Sequence, residues 1–194
     1  MKDKFIELLL STRRDGIENL LEHLKNTDFF TAPASTQYHG AYEGGLLEHS
    51  MAVYENLTTI ADAFLTEYDP GSLILLGLLH DVCKTNFYKV STRNVKDPII
   101  DGQQKYGWHQ IPFYMIEDQL PYGHGEKSVL IISQFIKLTR EETLAIRWHM
   151  GGFDDTAKSY AGGLQLSAAM DKYPLLVMLH MADLAATYLL NKEE

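Results

Sequence analysis

Residues 72–84 read SLILLGLLHDVCK, and this stretch determines the expected fold. It is apolar nearly all round, which predicts a helix buried at the centre of the protein. His80 and Asp81 lie at the C-terminal end of that helix. A buried imidazole beside a buried carboxylate is costly unless a partner satisfies both groups. A metal ion is one such partner, and the alternative is a His–Asp pair at a hydrated helix end.

Apolar residues recur at helical spacing on both sides of this stretch. Pro70 lies in the first turn of the central helix, where its missing N–H costs nothing. Thr139 and Glu142 form a capping-box pattern at the start of a later helix, and Pro174 is expected to break the last helical region in two. The other predicted helical segments span residues 3–25, 46–67, 124–137, 140–150 and about 164–190.

Helical spacing stops between about Phe87 and Gln119. Two segments rich in β-branched and aromatic residues lie there, separated by a Pro- and Gly-containing stretch. They predict two extended segments that pair as a small hairpin. The expected class is therefore all-α with one β-hairpin-like insertion, in a single domain over residues 1–194.

The composition limits the classes of partner. Hydrophobic residues make up 45% of the 194 residues, which is typical of an ordered globular domain. The 17 Lys and Arg residues against 26 Asp and Glu give a net charge of −9, which argues against broad nucleic-acid binding. A small phosphorylated substrate stays compatible with this charge, because a bound metal can reverse the local field of an acidic pocket.

Cysteine content and the N-terminus indicate the compartment. Cys83 is the one cysteine, so no disulfide forms within the chain and a reducing compartment is expected. The first residues, MKDKFIELLL, lack the features of a secretory signal. No apolar run reaches the ~18–20 residues of a membrane helix. The sequence thus predicts a cytoplasmic protein without a membrane segment.

Further ligand-type residues lie within or at the edges of predicted helices: His49, His124, His149 and Asp183. Imidazoles and carboxylates are ligands that Zn, Fe, Mn, Co and Ni accept, and facing helices can project several of them into one pocket. With the His–Asp doublet the set holds four imidazoles and two carboxylates, which is too many for one ion. Two ions bridged by Asp81 would use them all.

The order H…HD…H…H…D, over residues 42–188, resembles the HD superfamily of metal-dependent phosphohydrolases. The full set is similar to members with dinuclear sites, including hydrolases of symmetric dinucleoside polyphosphates, phosphodiesterases and exoribonucleases, whereas mononuclear members keep H…HD…D. The resemblance implies two divalent ions, drawn from Mn, Fe, Co, Ni, Zn and Mg. It implies that the first ion is held by His49, His80, Asp81 and Asp183, and the second by Asp81, His124 and His149.

The same resemblance implies hydrolysis of a phosphate ester or anhydride of a small, nucleotide-like substrate by metal-activated water. Asp81 and Lys84 are the expected catalytic residues. Asp81 would bridge the two ions, and Lys84 occupies the place of a lysine that family members carry shortly after the HD pair. Lys84 would add a positive charge near the phosphoryl group. The alternative for Lys84 is a solvated lysine near a helix C-terminus.

Candidate substrate contacts lie on the predicted hairpin and just before the first ligand. Arg93, Lys96 and Trp108 suit a lid that holds phosphate and stacks a base. The alternative is an oligomer contact, since exposed aromatic residues mark interfaces as well. His39 precedes His49 closely enough to line the pocket, although a loop histidine commonly faces solvent.

Three residues near the ligands have simpler interpretations. Lys127 shares a helix face with His124 and could reach phosphate, but it is expected to be a surface lysine. His180 could support the nearby Asp183, but it is expected to be a satisfied core histidine. Cys83 is expected to be a small buried apolar residue.

There are two rival functions. One is a diiron oxygenase with the HD fold and the same ligand set. The other is a degenerate HD domain that binds a nucleotide as a sensor, and the presence of all six ligands argues against it.

Overall fold

Helices form most of the chain in the computed structural model, which describes residues 1–37, 40–64, 67–96 and 107–189. The all-α class with one small hairpin is confirmed. None of the described helices combines the length and apolar character needed to cross a bilayer. The elements are α1 Lys2–Ser11, α2 Ile17–Lys25, α3 Gly45–Ala63, α4 Pro70–Leu79, β1 Tyr88–Lys96, β2 Trp108–Ile116, α5 His124–Ile132, α6 Arg140–Trp148, α7 Tyr160–Lys172 and α8 Pro174–Tyr188.

The predicted central helix is α4, in which residues 74–79 are all buried. Helix α3 packs beside it so closely that a Cβ added to Gly77 would lie 2.5 Å from Tyr54 Cα. Carbon atoms in ordinary contact are about 3.5–4.0 Å apart. Only glycine therefore allows this spacing between α3 and α4, which brings the residues at the end of α4 close to those on α3.

The helix ends follow the sequence signals. Asp69 accepts a hydrogen bond from Gly71 N at the start of α4, and Pro70 occupies the first turn as predicted. The Thr139–Glu142 capping box of α6 is also present, with both reciprocal hydrogen bonds.

The last helical region begins earlier than expected. Ser159 Oγ accepts a hydrogen bond from Gly162 N, so α7 begins at Tyr160 rather than near Leu164. Pro174 separates α7 from α8, as predicted.

A buried polar network joins the N-terminal segment to two central helices. The Glu142 carboxylate on α6 is fully buried. It accepts hydrogen bonds from Arg14 at 2.5 Å and from Ser72 Oγ on α4 at 2.6 Å. Because each polar group has a partner, the network fixes α4 against α6 without leaving a buried charge unpaired.

Strands β1 and β2 pair antiparallel in a two-stranded ribbon, from the pair Tyr88–Ile116 to the pair Lys96–Trp108. The ribbon is inserted between α4 and α5, and Lys127 on α5 anchors its base. Lys127 Nζ lies 2.6 Å from Asp118 Oδ1 and 4.8 Å from the centre of the Phe87 ring. The expectation of a surface lysine is wrong here, because Lys127 is only 4% exposed.

Candidate metal centre

Six ligand-type side chains from five helices converge at one end of α4. Their positions follow from the helix boundaries, since several of them begin or end a helix whose other face packs in the core. They are His49 on α3, His80 and Asp81 directly after α4, His124 at the start of α5, His149 directly after α6, and Asp183 on α8.

The Asp81 carboxylate lies between two pairs of imidazoles. Its Oδ2 atom is 3.6 Å from His49 Nε2 and 3.5 Å from His80 Nε2. Its Oδ1 atom is 2.8 Å from His124 Nε2 and 3.5 Å from His149 Nε2. The two oxygen atoms of one carboxylate thus face different pairs of histidines.

Asp183 extends the group on the Oδ2 side. Its Oδ1 atom lies 3.2 Å from His49 Nε2, and the Nε2 atoms of His49 and His80 are 3.3 Å apart. Three overlapping sets have ligand atoms within 4.8 Å of one another, namely His49–His80–Asp81, His80–His149–Asp183 and Asp81–Cys83–His124.

The hydrogen bonds of two histidines prepare them for metal binding. His80 Nδ1 donates to Gly77 O at 3.0 Å, and His149 Nδ1 donates to Ile146 O at 2.7 Å. Each ring is thereby held in the tautomer that leaves a lone pair on Nε2.

His149 Nε2 is the strongest indication of a missing partner. It is buried and has no hydrogen bond within the described part of the chain. An unsatisfied buried polar atom costs about 1–3 kcal/mol. A divalent metal ion would satisfy this lone pair together with the neighbouring carboxylate, so the residues present fit a metal.

Burial and mutual charge set the protonation of the ligand set. Burial opposes ionisation of Asp81, but the charges of Lys84 and His80 and the hydrogen bond from His124 hold the pKa of that carboxyl well below its usual range. Burial likewise opposes ionisation of Asp183, and the hydrogen bond from His49 outweighs it and lowers that pKa. Both carboxylates are therefore ionised near neutral pH, as metal ligands must be.

The two histidines on the Oδ1 side, His124 and His149, have pKa values shifted in opposite directions. Burial lowers the pKa of His149, which keeps its ring neutral. Burial acts in the same direction on His124, but the neighbouring Cys83 and the hydrogen bond to Asp81 outweigh it and raise the pKa of His124 to about 10. Metal binding at His124 Nε2 must therefore displace a proton.

Lys84 and Cys83 lie directly beside the ligands. Lys84 Nζ is 2.7 Å from Asp81 Oδ2, and Asp81 raises the pKa of this lysine although burial opposes it. The interpretation of Lys84 as a solvated lysine is not supported, because only 16% of its side chain is exposed. Cys83 is buried as expected, but its Sγ lies 3.4 Å from His124 Nδ1, so it contacts a candidate ligand.

A cavity of about 180 Å³ opens beside Asp81 and Asp183. Three of its lining residues are charged, and most of the remaining wall is apolar or aromatic. Among the described residues that line it, Lys84 is the one lysine or arginine. The lining consists of Asp81, Lys84, Met150, Phe153, His180, Asp183, Leu184, Thr187 and Tyr188.

The family model of the HD domain matches residues 46–187, which is most of the chain and nearly all of the predicted core of residues 42–188. The chain belongs to the HD-domain family. HD domains bind divalent metals and are typical of metal-dependent phosphohydrolases, in agreement with the His and Asp cluster. Comparisons with curated proteins and with solved structures found no match.

The candidate substrate contacts on the ribbon of this HD domain, Arg93, Lys96 and Trp108, are not among the described residues that line the cavity. Arg93 packs against the Phe113 ring at 5.7 Å, and Lys96 against the Trp108 ring at 5.5 Å. At about 3.3 Å per residue, Arg93 and Lys96 are about 17 and 26 Å along the strand from Tyr88. Substrate contact by these residues stays a prediction, and His39 lies outside the described residues.

Several cavity residues of the HD domain, among them Thr187, Phe153 and Met150, were not singled out from the sequence. Thr187 lies four residues after Asp183, and His180, which was expected to be a core histidine, lies three residues before it. Helical spacing therefore places both on the same face of α8, and it was a usable signal for Thr187. Phe153 and Met150 come from the turn after α6, and no periodic pattern indicates where such a turn directs its side chains.

Proposed function

We propose that this HD protein is a phosphohydrolase that holds two divalent metal ions. His49, His80, Asp81 and Asp183 hold the first ion, and Asp81, His124 and His149 hold the second. The observation that supports this proposal is the position of the Asp81 carboxylate, whose two oxygen atoms face different pairs of histidines. A carboxylate in that position suits a bridge between two ions.

When bound, divalent ions at such a site supply the Lewis acidity and the activated water of phosphoryl hydrolysis. The protein contributes the arrangement around them. Backbone carbonyls orient His80 and His149, and burial keeps bulk water from four of the ligands, His49, His80, Asp81 and His149. Electrostatic stabilisation of the developing charge is strongest in such a desolvated site.

Lys84 is the proposed catalytic cation. It already lies 2.7 Å from Asp81 Oδ2 and lines the cavity, so a phosphoryl oxygen beside the ligands would be within its reach. Its raised pKa keeps the ammonium charged throughout the neutral range. A charged donor in this position would stabilise negative charge on the non-bridging oxygens.

The proposed substrate is a small phosphate ester or anhydride, such as a nucleotide, rather than a polymer. The chain carries a net charge of −9, which disfavours a long polyanion. The cavity offers one lysine and mainly apolar walls, which favours a single phosphoryl group at the metals and a neutral leaving group.

The remaining proposed substrate contacts would act only as part of a lid. They are Arg93, Lys96, Trp108 and His39. None of Arg93, Lys96 and Trp108 is among the described residues that line the cavity, so contact with a substrate there would require the ribbon to fold over the cavity. If it does so, Arg93→Ala raises KM before it lowers kcat. An unchanged KM with a changed assembly state would assign the ribbon to an oligomer contact instead.

A phosphate-release screen tests the proposed function. The substrates are nucleoside mono-, di- and triphosphates, linear and cyclic dinucleotides, and dinucleoside polyphosphates, each with Mn, Co, Ni and Mg. We expect release from a small substrate, its loss in Asp81→Ala, and its retention in Lys89→Ala, which changes an exposed ion pair on the ribbon.

Three results would contradict the proposal. Faster cleavage of long single-stranded RNA than of any mononucleotide or dinucleotide would favour an exoribonuclease activity. Oxygen consumption without phosphate release would favour the diiron oxygenase. Nucleotide binding without any turnover would favour the sensor.

A further inference from the structure

His180 lies on α8, one turn before Asp183, and forms part of the cavity wall. Its Nδ1 atom is 2.6 Å from the backbone oxygen of His149. A carbonyl oxygen only accepts hydrogen bonds, so Nδ1 carries the proton in this contact. In the neutral ring the Nε2 atom is then an acceptor, and no described residue hydrogen-bonds to it.

The position of this ring is determined by the turn that follows α6. Gly151 has a φ of +54°, and a Cβ at this position would lie 2.7 Å from both Cε1 and Nε2 of His180. The turn therefore accommodates the imidazole only because residue 151 has no side chain. This packing and the bond to His149 hold His180 from two sides.

The wall around His180 is suited to a flat group. The Phe153 ring lies 6.4 Å from the His180 ring at 49°, and Phe153 is 61% exposed. Leu184 and Met150 add apolar surface to the same cavity. A hydrogen-bond acceptor with a fixed orientation therefore lies beside an aromatic and apolar surface, in a cavity that is also lined by the carboxylates and Lys84.

We propose that His180 is a substrate-binding residue for the leaving group, a role that rests on the proposed phosphohydrolase function. Its Nε2 accepts a hydrogen bond from a hydroxyl or amino group of the alcohol part of a phosphate monoester. Phe153 covers the planar part of the same group. The site thus prefers an ester such as a nucleoside monophosphate over one whose alcohol part has no hydrogen-bond donor.

Two substitutions distinguish substrate binding by His180 Nε2 from positioning of His149 by the hydrogen bond of His180 Nδ1. The amide nitrogen of Asn corresponds to histidine Nδ1, so His180→Asn keeps the donor to the His149 carbonyl and removes the Nε2 acceptor. The amide of Gln reaches the Nε2 position, so His180→Gln keeps a polar group in the cavity and loses the donor to His149. Met181→Ala, a partly exposed neighbour outside the cavity lining, is the control.

The test compares 5′-AMP, which carries donors, with phenyl phosphate, which has none in its alcohol part. In His180→Asn we expect the ratio of kcat/KM for 5′-AMP to that for phenyl phosphate to fall about 2- to 12-fold, the range of one neutral hydrogen bond. The ratio should fall because KM for 5′-AMP rises, and the metal content of the variant should equal that of wild type. His180→Gln should lose metal at His149, and Met181→Ala should keep the wild-type ratio.

An unchanged ratio in His180→Asn overturns the proposal. An equal fall for both esters together with metal loss also overturns it, because His180 would then act only through His149. If the wild type hydrolyses neither ester, the phosphate-release screen decides the phosphohydrolase function, and calorimetry with adenosine decides the His180 proposal separately. Binding of adenosine should weaken about 2- to 12-fold in His180→Asn; equal binding, or none to wild type, refutes it.

Discussion

Replacing Gly77 by Ala tests whether the close approach of α3 and α4 builds the first metal site. The new Cβ would lie 2.5 Å from Tyr54 Cα, 2.7 Å from its Cβ and 2.9 Å from its N. Since carbon atoms in contact need about 3.5–4.0 Å, the two helices would have to separate by about 1 Å. The obstacle is mainly backbone, so rotation of a side chain cannot relieve it.

The expected stability loss follows from two opposing effects. Overpacking of this kind costs about 1–3 kcal/mol, and the better helix propensity of alanine offsets about 0.5–1 kcal/mol. The free energy of unfolding should fall by about 0.5–2 kcal/mol, and at about 2–4 °C per kcal/mol the melting temperature of a chain of this size should decrease by about 1–8 °C. Thermal denaturation followed by circular dichroism measures this change.

The same substitution should weaken metal binding. It would separate His49 from His80, whose Nε2 atoms are 3.3 Å apart, and move the Gly77 carbonyl that orients His80. Loss of such an orienting contact typically weakens metal affinity about 10- to 100-fold. Gly152→Ala is the control, because a Cβ there has no neighbour within 4 Å. A Gly77→Ala protein as stable as wild type, with unchanged affinity for the first ion, would refute this reasoning.

Three further predictions address the ligands and Lys84. Asp81→Ala should empty both sites, whereas His124→Ala should empty mainly the second; equal metal loss, measured by elemental analysis, would exclude Asp81 as the unique bridge. Because the pKa of His124 is about 10, the deprotonated fraction that can bind metal falls about tenfold per pH unit, so affinity for the second ion should fall about tenfold per pH unit between pH 9 and 6. Calorimetry measures this, and a second-site affinity independent of pH would contradict it. Lys84→Ala should lower kcat about 10- to 150-fold, because it removes a charged contact to phosphate worth about 1.5–3 kcal/mol; a change in KM alone, in steady-state assays, would assign Lys84 to ground-state binding.

The sequence was sufficient for the class of fold because its signals are local. An all-apolar segment ending in His80–Asp81 predicts a buried helix, and the Thr139–Glu142 box and Pro174 mark helix ends through contacts within a few residues. The metal-ligand types were also visible, since a buried imidazole or carboxylate is costly unless a partner such as a metal ion satisfies it.

Features that depend on contacts between distant segments were not predictable in this way. The burial of Lys127 depends on Asp118 and Phe87 from the base of the ribbon, which helical spacing does not reveal. The contact of Cys83 with His124 likewise depends on how α5 packs against the turn after α4. The position of Arg93 relative to the cavity depends on the direction in which the ribbon projects, and nearness in sequence to Asp81 is a poor guide to that direction.

The number of metal ions per chain tests the central claim most directly. Wild-type protein would be purified mildly, reconstituted with Mn or Co, freed of loosely bound ions, and analysed for metal and protein in the same sample. Two oxygens of Asp81 directed at separate histidine pairs predict two ions per chain. A metal content that never exceeds one ion per chain, under any reconstitution condition, would contradict the dinuclear centre.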